Sequence, residues 1–344
     1  MRGAAMQMFG SDNYSPVHPS VLEELARVNT GHVIAYGGDP YTAEAIEILH
    51  KHVGDECDIL ITFNGTGANV ICLSGLLKPW QAVVCTRTAH INTDEGGAPE
   101  RIAAAKLIPI DSEDGKLVPE MIEPYLGRLG DEHSAQPHVI SISNVTELGT
   151  VYTPDELRTL CDFAHSNGMK VHCDGARIGN AATSLGVSIK ELTADVGLDA
   201  LSFGGTKNGL MGAEAAVFFG QTEPFVRFLI RKQSAQLASK MRYLAAQFIA
   251  LYRGDIWLEC AQHANAMTAK LVEGLQAQGC EITHSPDANE VFCVMDPALY
   301  KKLNEEFHFY PWDATRNEVR LVTSWDTEPA LVDTFIKRLG ELQA

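Results

Sequence analysis

Lys207 stands in Gly204-Gly205-Thr206-Lys207-Asn208-Gly209, directly after the apolar run Ala200-Leu201-Ser202-Phe203. Upstream, a second apolar run, Met169 to Cys173, ends in Asp174-Gly175-Ala176-Arg177. Most lysines are solvated surface groups, and an Asp after a strand is often only a loop cap. The glycine and apolar flanks set Lys207 apart, because a desolvated amine loses proton affinity and becomes a usable nucleophile. An Asp at one strand end and a glycine-flanked Lys at a later one are together what pyridoxal phosphate chemistry requires. The amine bonds the cofactor's aldehyde, and the carboxylate keeps the pyridine nitrogen protonated so that the ring accepts electrons. Arg177 is then a candidate for the cofactor's phenolate oxygen or a substrate carboxylate.

Other loops add chemistry of the same kind. Asn64-Gly65-Thr66-Gly67-Ala68-Asn69 joins an apolar run to a helix start. There, free N–H groups and the Thr66 hydroxyl suit a phosphate, although an ordinary tight turn has the same appearance. The loop has neither the third glycine of a dinucleotide fingerprint nor a Walker lysine, which disfavours a nucleotide. His90, after the run Ala82 to Thr86, can lie on a pyridine ring and move a proton, with Asp94 or Glu95 to orient it; the alternative is a solvated loop histidine. His133, in Gly130-Asp131-Glu132-His133, reads as a surface residue on its own. His172 and Asp174 alternate onto one strand face without a third ligand nearby, so no metal site is expected.

These residues need strand ends to hold them. Candidate strands are Asp58 to Phe63, Ala82 to Thr86, Lys106 to Ile110, His138 to Ser143, Lys170 to Cys173 and Ala200 to Phe203. Helical patterns alternate with them, the clearest following Thr153, with Pro154 at the first helical position and Glu156 completing a capping box. That alternation implies an α/β fold with a mostly parallel sheet, whose ligands sit beyond the strands' carboxyl ends. From Pro224 to Tyr252 the pattern is continuously helical. A helix around Leu258 to Gln278, strands Val291 to Met295 and Val319 to Thr323, and a helix from Pro329 follow. The expected organisation is a short N-terminal segment (1–20), a large domain (21–250) and a small C-terminal domain (251–344).

The 344 residues are 45% hydrophobic and carry a net charge of −17, which supports a large core and disfavours nucleic acid or an anionic membrane as partner. The 8 cysteines are scattered without a Cys-x-x-Cys pair, as expected of free thiols in a reducing, cytoplasmic setting. No stretch is apolar and long enough to span a bilayer.

In collinear order the chain carries Ser11-Asp12-Asn13-Tyr14-Ser15, Ala35-Tyr36-Gly37, the Asn64–Asn69 loop, Thr88-Ala89-His90, Asp174–Arg177, Gly204–Lys207 and Val319-Arg320 through Asp326. With these motifs it resembles the low-specificity threonine aldolases, fold-type-I pyridoxal phosphate enzymes that also cleave phenylserine. The resemblance implies a transferase-like fold with a smaller C-terminal α+β domain; it makes 21–250 the cofactor-binding domain and has the N-terminal segment (1–20) contribute to the active site. It further implies retro-aldol cleavage of L-threonine, L-allo-threonine or a related L-β-hydroxy-α-amino acid to glycine and an aldehyde.

Position by position, it makes Lys207 the Schiff-base lysine, Asp174 the pyridine partner and His90 the ring-stacking histidine. Gly65, Thr66 and Arg242 become phosphate ligands, and Ser11, Arg177 and Arg320 a carboxylate clamp. Tyr36 becomes a residue lent by a neighbouring subunit of an oligomer, usually a tetramer built from two dimers. It also overrides the surface reading of His133, which aligns with a second histidine near the substrate hydroxyl; His90 and His133 both remain candidates for the base. Two departures bear on substrate preference. Ser143-Asn144-Val145-Thr146-Glu147-Leu148 replaces the frequent Glu-Asn-Thr-His, and Thr206 rather than Ser precedes the lysine. The alternatives are another type-I enzyme, a β-eliminating lyase or aminotransferase, and more remotely a non-catalytic cofactor-binding scaffold.

Overall fold

The computed structural model describes residues 7–220 and 224–344. Its strands are Gln7–Met8 (β1), Cys57–Thr62 (β2), Gln81–Thr86 (β3), Lys106–Ile110 (β4), Gln136–Ser143 (β5) and Lys170–Gly175 (β6). They continue with Ala200–Phe203 (β7), Glu214–Phe219 (β8), Glu290–Val294 (β9), Phe307–His308 (β10), Tyr310–Asp313 (β11) and Glu318–Val322 (β12).

Seven strands form one sheet in the order β2-β8-β7-β6-β5-β3-β4. Neighbours from β4 to β7 are parallel, while β8 runs antiparallel to both β7 and β2. The expected mostly parallel sheet is therefore present, with one reversed strand. That reversal matters for the site. It brings the first residue of β8, Glu214, to the same edge as the last residues of β2, β3, β5, β6 and β7. These strands are buried almost throughout, as helices on both faces require.

Helix Pro154–Ser166 has the expected capping box between Thr153 and Glu156, and buries Leu157, Leu160, Cys161 and Ala164. The continuous helix expected over Pro224 to Tyr252 is instead two, Pro224–Gln233 and Arg242–Tyr252. Ala235 takes a left-handed φ of 59° in the break, and the Gln236 side chain accepts from the Phe63 N–H. A tertiary contact thus wins over local helix propensity.

A second, smaller core lies under the antiparallel sheet β11-β12-β9, where Leu271, Leu275, Val291, Leu321, Phe335 and Leu339 pack together. Phe9 joins this core, and β1 pairs with β10. Having crossed that unit, the N-terminal segment delivers Asp12 to the edge of the large sheet.

Candidate active site

A cleft of about 280 Å³ opens at the sheet edge described above. Asn64, Gly65 and Thr66 line it from the turn after β2, His90 from the turn after β3, Ser143 and Glu147 from beyond β5. Asp174 and Arg177 enter from β6, Thr206 and Lys207 from the turn after β7, and Glu214 from the start of β8. Residues far apart in the chain meet because parallel strands all end on one side.

Lys207 is held close to Asp174 by packing of one loop on another. A Cβ added to Gly204 would meet the Ala176 backbone at 2.5 Å, so the two loops approach more closely than any side chain allows. Asp174 is buried at its strand end. Its Oδ2 accepts from Asn69 Nδ2 at 2.8 Å and its Oδ1 from the Ala176 N–H at 3.0 Å. Burial pushes this carboxyl up, but the Asn69 hydrogen bond and the His90 and Lys207 charges outweigh it, leaving it below the usual carboxylate range.

Behind Asp174 runs a buried chain of donors. Ser202 Oγ lies 2.5 Å from Asn69 Oδ1 and 3.1 Å from His172 Nε2, and His172 Nδ1 lies 2.9 Å from Ser141 Oγ. Because Ser202 donates to Asn69, it accepts from His172 Nε2–H, which leaves Nδ1 to accept from Ser141. Burial lowers the His172 pKa to about 4, in keeping with that neutral tautomer. Every donor in the chain is aimed toward Asp174, which favours its charged form.

The same Asn69 amide donates to Glu95 Oε1 at 2.8 Å, and Glu95 Oε1 lies 3.0 Å from His90 Nδ1. That hydrogen bond is the main reason the His90 pKa is raised. Of the two acids considered beside His90, Glu95 is the one that orients it. Glu147 Oε1 accepts from the His90 backbone N–H at 2.9 Å and from Ser143 Oγ at 2.6 Å, and burial raises its pKa.

Gly65 and Thr66 begin helix Gly65–Leu76, whose N-cap Asn64 accepts from the Gly67 N–H. Arg177 lines the cleft but is already engaged: Nε and Nη2 reach the two Asp12 oxygens at 2.7 and 3.1 Å, and Nη2 lies 3.3 Å from Glu290. Arg320 shares Glu290 at 3.7 Å and approaches the Gly10 carbonyl at 3.5 Å. Ser11 caps the short turn Asp12–Tyr14 beside them. The three expected clamp residues therefore neighbour one another, two of them tied down by buried carboxylates that sequence reasoning did not assign.

Five expected site residues are not among those lining the cleft: Ser11 and Arg320, beside Arg177, and His133, Tyr36 and Arg242. His133 is in the loop before β5 with its side chain 86% exposed. Tyr36 is 51% exposed, with Lys232 over its ring. Arg242 lines a different cavity, formed with Gly31 to Ala35, and donates to the carbonyls of Thr30 and Gly31.

Comparison with known proteins agrees with this architecture. The model of the family described as beta-eliminating lyase matches residues 9–298. The chain belongs to that family. It is 41% identical to the low specificity L-threonine aldolase of a Pseudomonas species, over 95% of each chain. The counterpart of Pseudomonas aeruginosa is 38% identical, over 98% of this chain and 96% of the other. The solved threonine aldolase of Leishmania major superposes with a TM-score of 0.92 at 30% identity, covering 98% of this chain and all of that one.

The beta-eliminating lyase fold is a pyridoxal phosphate fold, and the residues present fit that group. A lysine amine and an ionised buried carboxylate face one cleft, a histidine lines its wall, and a helix N-terminus offers unpaired N–H groups to a phosphate. Asn69, Glu147, Glu214 and Glu290 carry parts of the site that the sequence reading missed. The available signal was an acid next to an apolar strand run, as in Ala213-Glu214-Ala215-Ala216 and Glu290-Val291-Phe292.

Proposed function

We propose that this protein is an aldehyde-lyase that cleaves L-threonine, L-allo-threonine and related L-β-hydroxy-α-amino acids, including L-phenylserine, to glycine and an aldehyde. The observation that carries the reading is the meeting of Lys207, ionised Asp174 and His90 in one cleft of a chain so similar to threonine aldolases. Pyridoxal phosphate, when bound, supplies a ring that accepts the electrons of a bond to the substrate's Cα.

The chain's own residues supply the rest. Lys207 Nζ would hold the cofactor through its aldehyde carbon. Asp174, charged and fixed by Asn69, would favour a protonated pyridine nitrogen. Gly65 and Thr66 offer N–H groups to the phosphate. Arg177, Arg320 and Ser11 orient the substrate carboxylate, so that the Cα–Cβ bond is the one presented for cleavage. His90, held through Nδ1 by Glu95, has Nε2 left to take the β-hydroxyl proton. Return of a proton to Cα completes glycine.

We infer also that a second copy of the chain completes the site. Tyr36, Arg242 and His133 suit residues lent across a subunit boundary. Two residues before Tyr36, Ile34 is 72% exposed, and helix Pro224–Gln233 leaves Phe225 71% exposed, which suits a covered apolar face. This fits a dimer, paired further into a tetramer. Among the described residues no helix is long and apolar enough to cross a membrane, and eight free cysteines, six of them buried, suit the cytoplasm.

The purified protein is expected to absorb visible light through its bound cofactor and to release glycine and the matching aldehyde from L-threonine or L-phenylserine. Colour without aldehyde would move the assignment to elimination or transamination. A colourless protein that added cofactor does not restore would overturn it.

A further inference from the structure

The structure assigns Glu214 as a positioning residue for Lys207, one that shapes the lysine's loop through both oxygens of a single buried carboxyl group. Glu214 is 6% exposed, at the one strand start that the reversed β8 brings to the cleft. Its Oε2 accepts from the Gly205 N–H at 3.1 Å and its Oε1 from the Thr206 N–H at 3.1 Å. These are the two residues directly before Lys207. The loop has little freedom to find other partners: a Cβ on Gly205 would collide with Leu210 and meet the Ala213 carbonyl oxygen at 2.9 Å. A carboxylate is the side chain that satisfies two parallel donors at once, whereas an amide offers one acceptor and turns donors toward the second N–H.

Burial raises the Glu214 pKa to about 7, against the pull of the two N–H groups and of Lys207. The titratable groups facing it are Lys207 from its own loop and the Tyr252 hydroxyl from helix Arg242–Tyr252. Above that value its negative charge faces Lys207 while its geometry aims the chain. This rests on the reading of Lys207 as the cofactor lysine, and the test separates the two.

Apo protein is mixed with pyridoxal phosphate, and the covalent linkage is followed by visible absorbance across pH. Borohydride trapping and peptide mass mapping then locate the attachment. In Glu214→Gln the linkage is expected to form at least tenfold more slowly and to lose the wild-type inflection near the Glu214 titration. Total cofactor bound, read by tryptophan quenching, should be retained, and Glu214→Asp should recover part of the rate. Unchanged rate and pH profile in Glu214→Gln would sink the proposal while leaving Lys207 in its role. Attachment to a different lysine in the wild type would instead overturn the reading of Lys207.

Should the Gln variant not fold, hydrogen exchange in wild-type protein decides. The protection factors of Gly205 and Thr206 are expected to fall as Glu214 is protonated below its value of about 7. Protection independent of that titration contradicts the assignment.

Discussion

At the scale of single residues, His90 shows how one hydrogen bond sets a working pH range. Glu95 raises its pKa, so in the proposed role of His90 as base the ring is already protonated at lower pH and unable to accept the β-hydroxyl proton. Activity should therefore rise with pH through that raised value. Replacing Glu95 by Gln removes the carboxylate that holds the proton, and the acid limb of kcat/KM should move to lower pH. His90→Ala should cost about 10²–10⁴-fold in kcat, the usual worth of such a base, with cofactor absorbance retained. Steady-state kinetics across pH check both; an acid limb that stays in place in Glu95→Gln would remove His90 as the base. Lys207, Asp174 and His90 could be picked out in the sequence because each follows an apolar run within a distinctive loop. Asn69 could be quoted but not given its role, since its partners Glu95 and Asp174 lie 26 and 105 positions away.

At the scale of elements, the capping signals of helix Pro154–Ser166 were readable because the box is local, three residues apart. Thr153→Ala should lower stability by about 1 kcal/mol, measured by urea unfolding, with kcat unchanged, since no residue of this helix lines the cleft. Gly204→Ala is expected to do the reverse of sparing the site. A Cβ there meets rigid backbone at Ala176, forcing apart the loops that carry Lys207 and Asp174. Visible cofactor absorbance should be lost at a concentration that saturates the wild type. The helix break at Ala235 was not readable, because no glycine or proline marks it. What stabilises it is Gln236 reaching the Phe63 N–H across 173 positions.

At the scale of the whole molecule, the sites are expected to be shared between copies. Mixing Lys207→Ala chains with Arg242→Ala chains should then restore activity that neither has alone. In randomly mixed dimers this amounts to roughly a quarter of wild type, because one site of each hybrid has both native residues. No recovery after verified subunit exchange would place Arg242 within its own chain's function. By itself the sequence determined the alternation of strands and helices, the glycine-flanked lysine, the acid at a strand end and the glycine-rich loop that opens helix Gly65–Leu76. All are encoded in neighbours along the chain, where periodicity, turn chemistry and caps operate. Only the tertiary structure decided which strand end meets which. The reversal of β8 brings Glu214 to the Gly205 and Thr206 N–H groups before Lys207, and the crossing of the N-terminal segment ties Asp12 to Arg177. Those contacts are made by buried polar groups whose partners are distant in sequence, and burial obliges each to find its partner in space rather than along the chain.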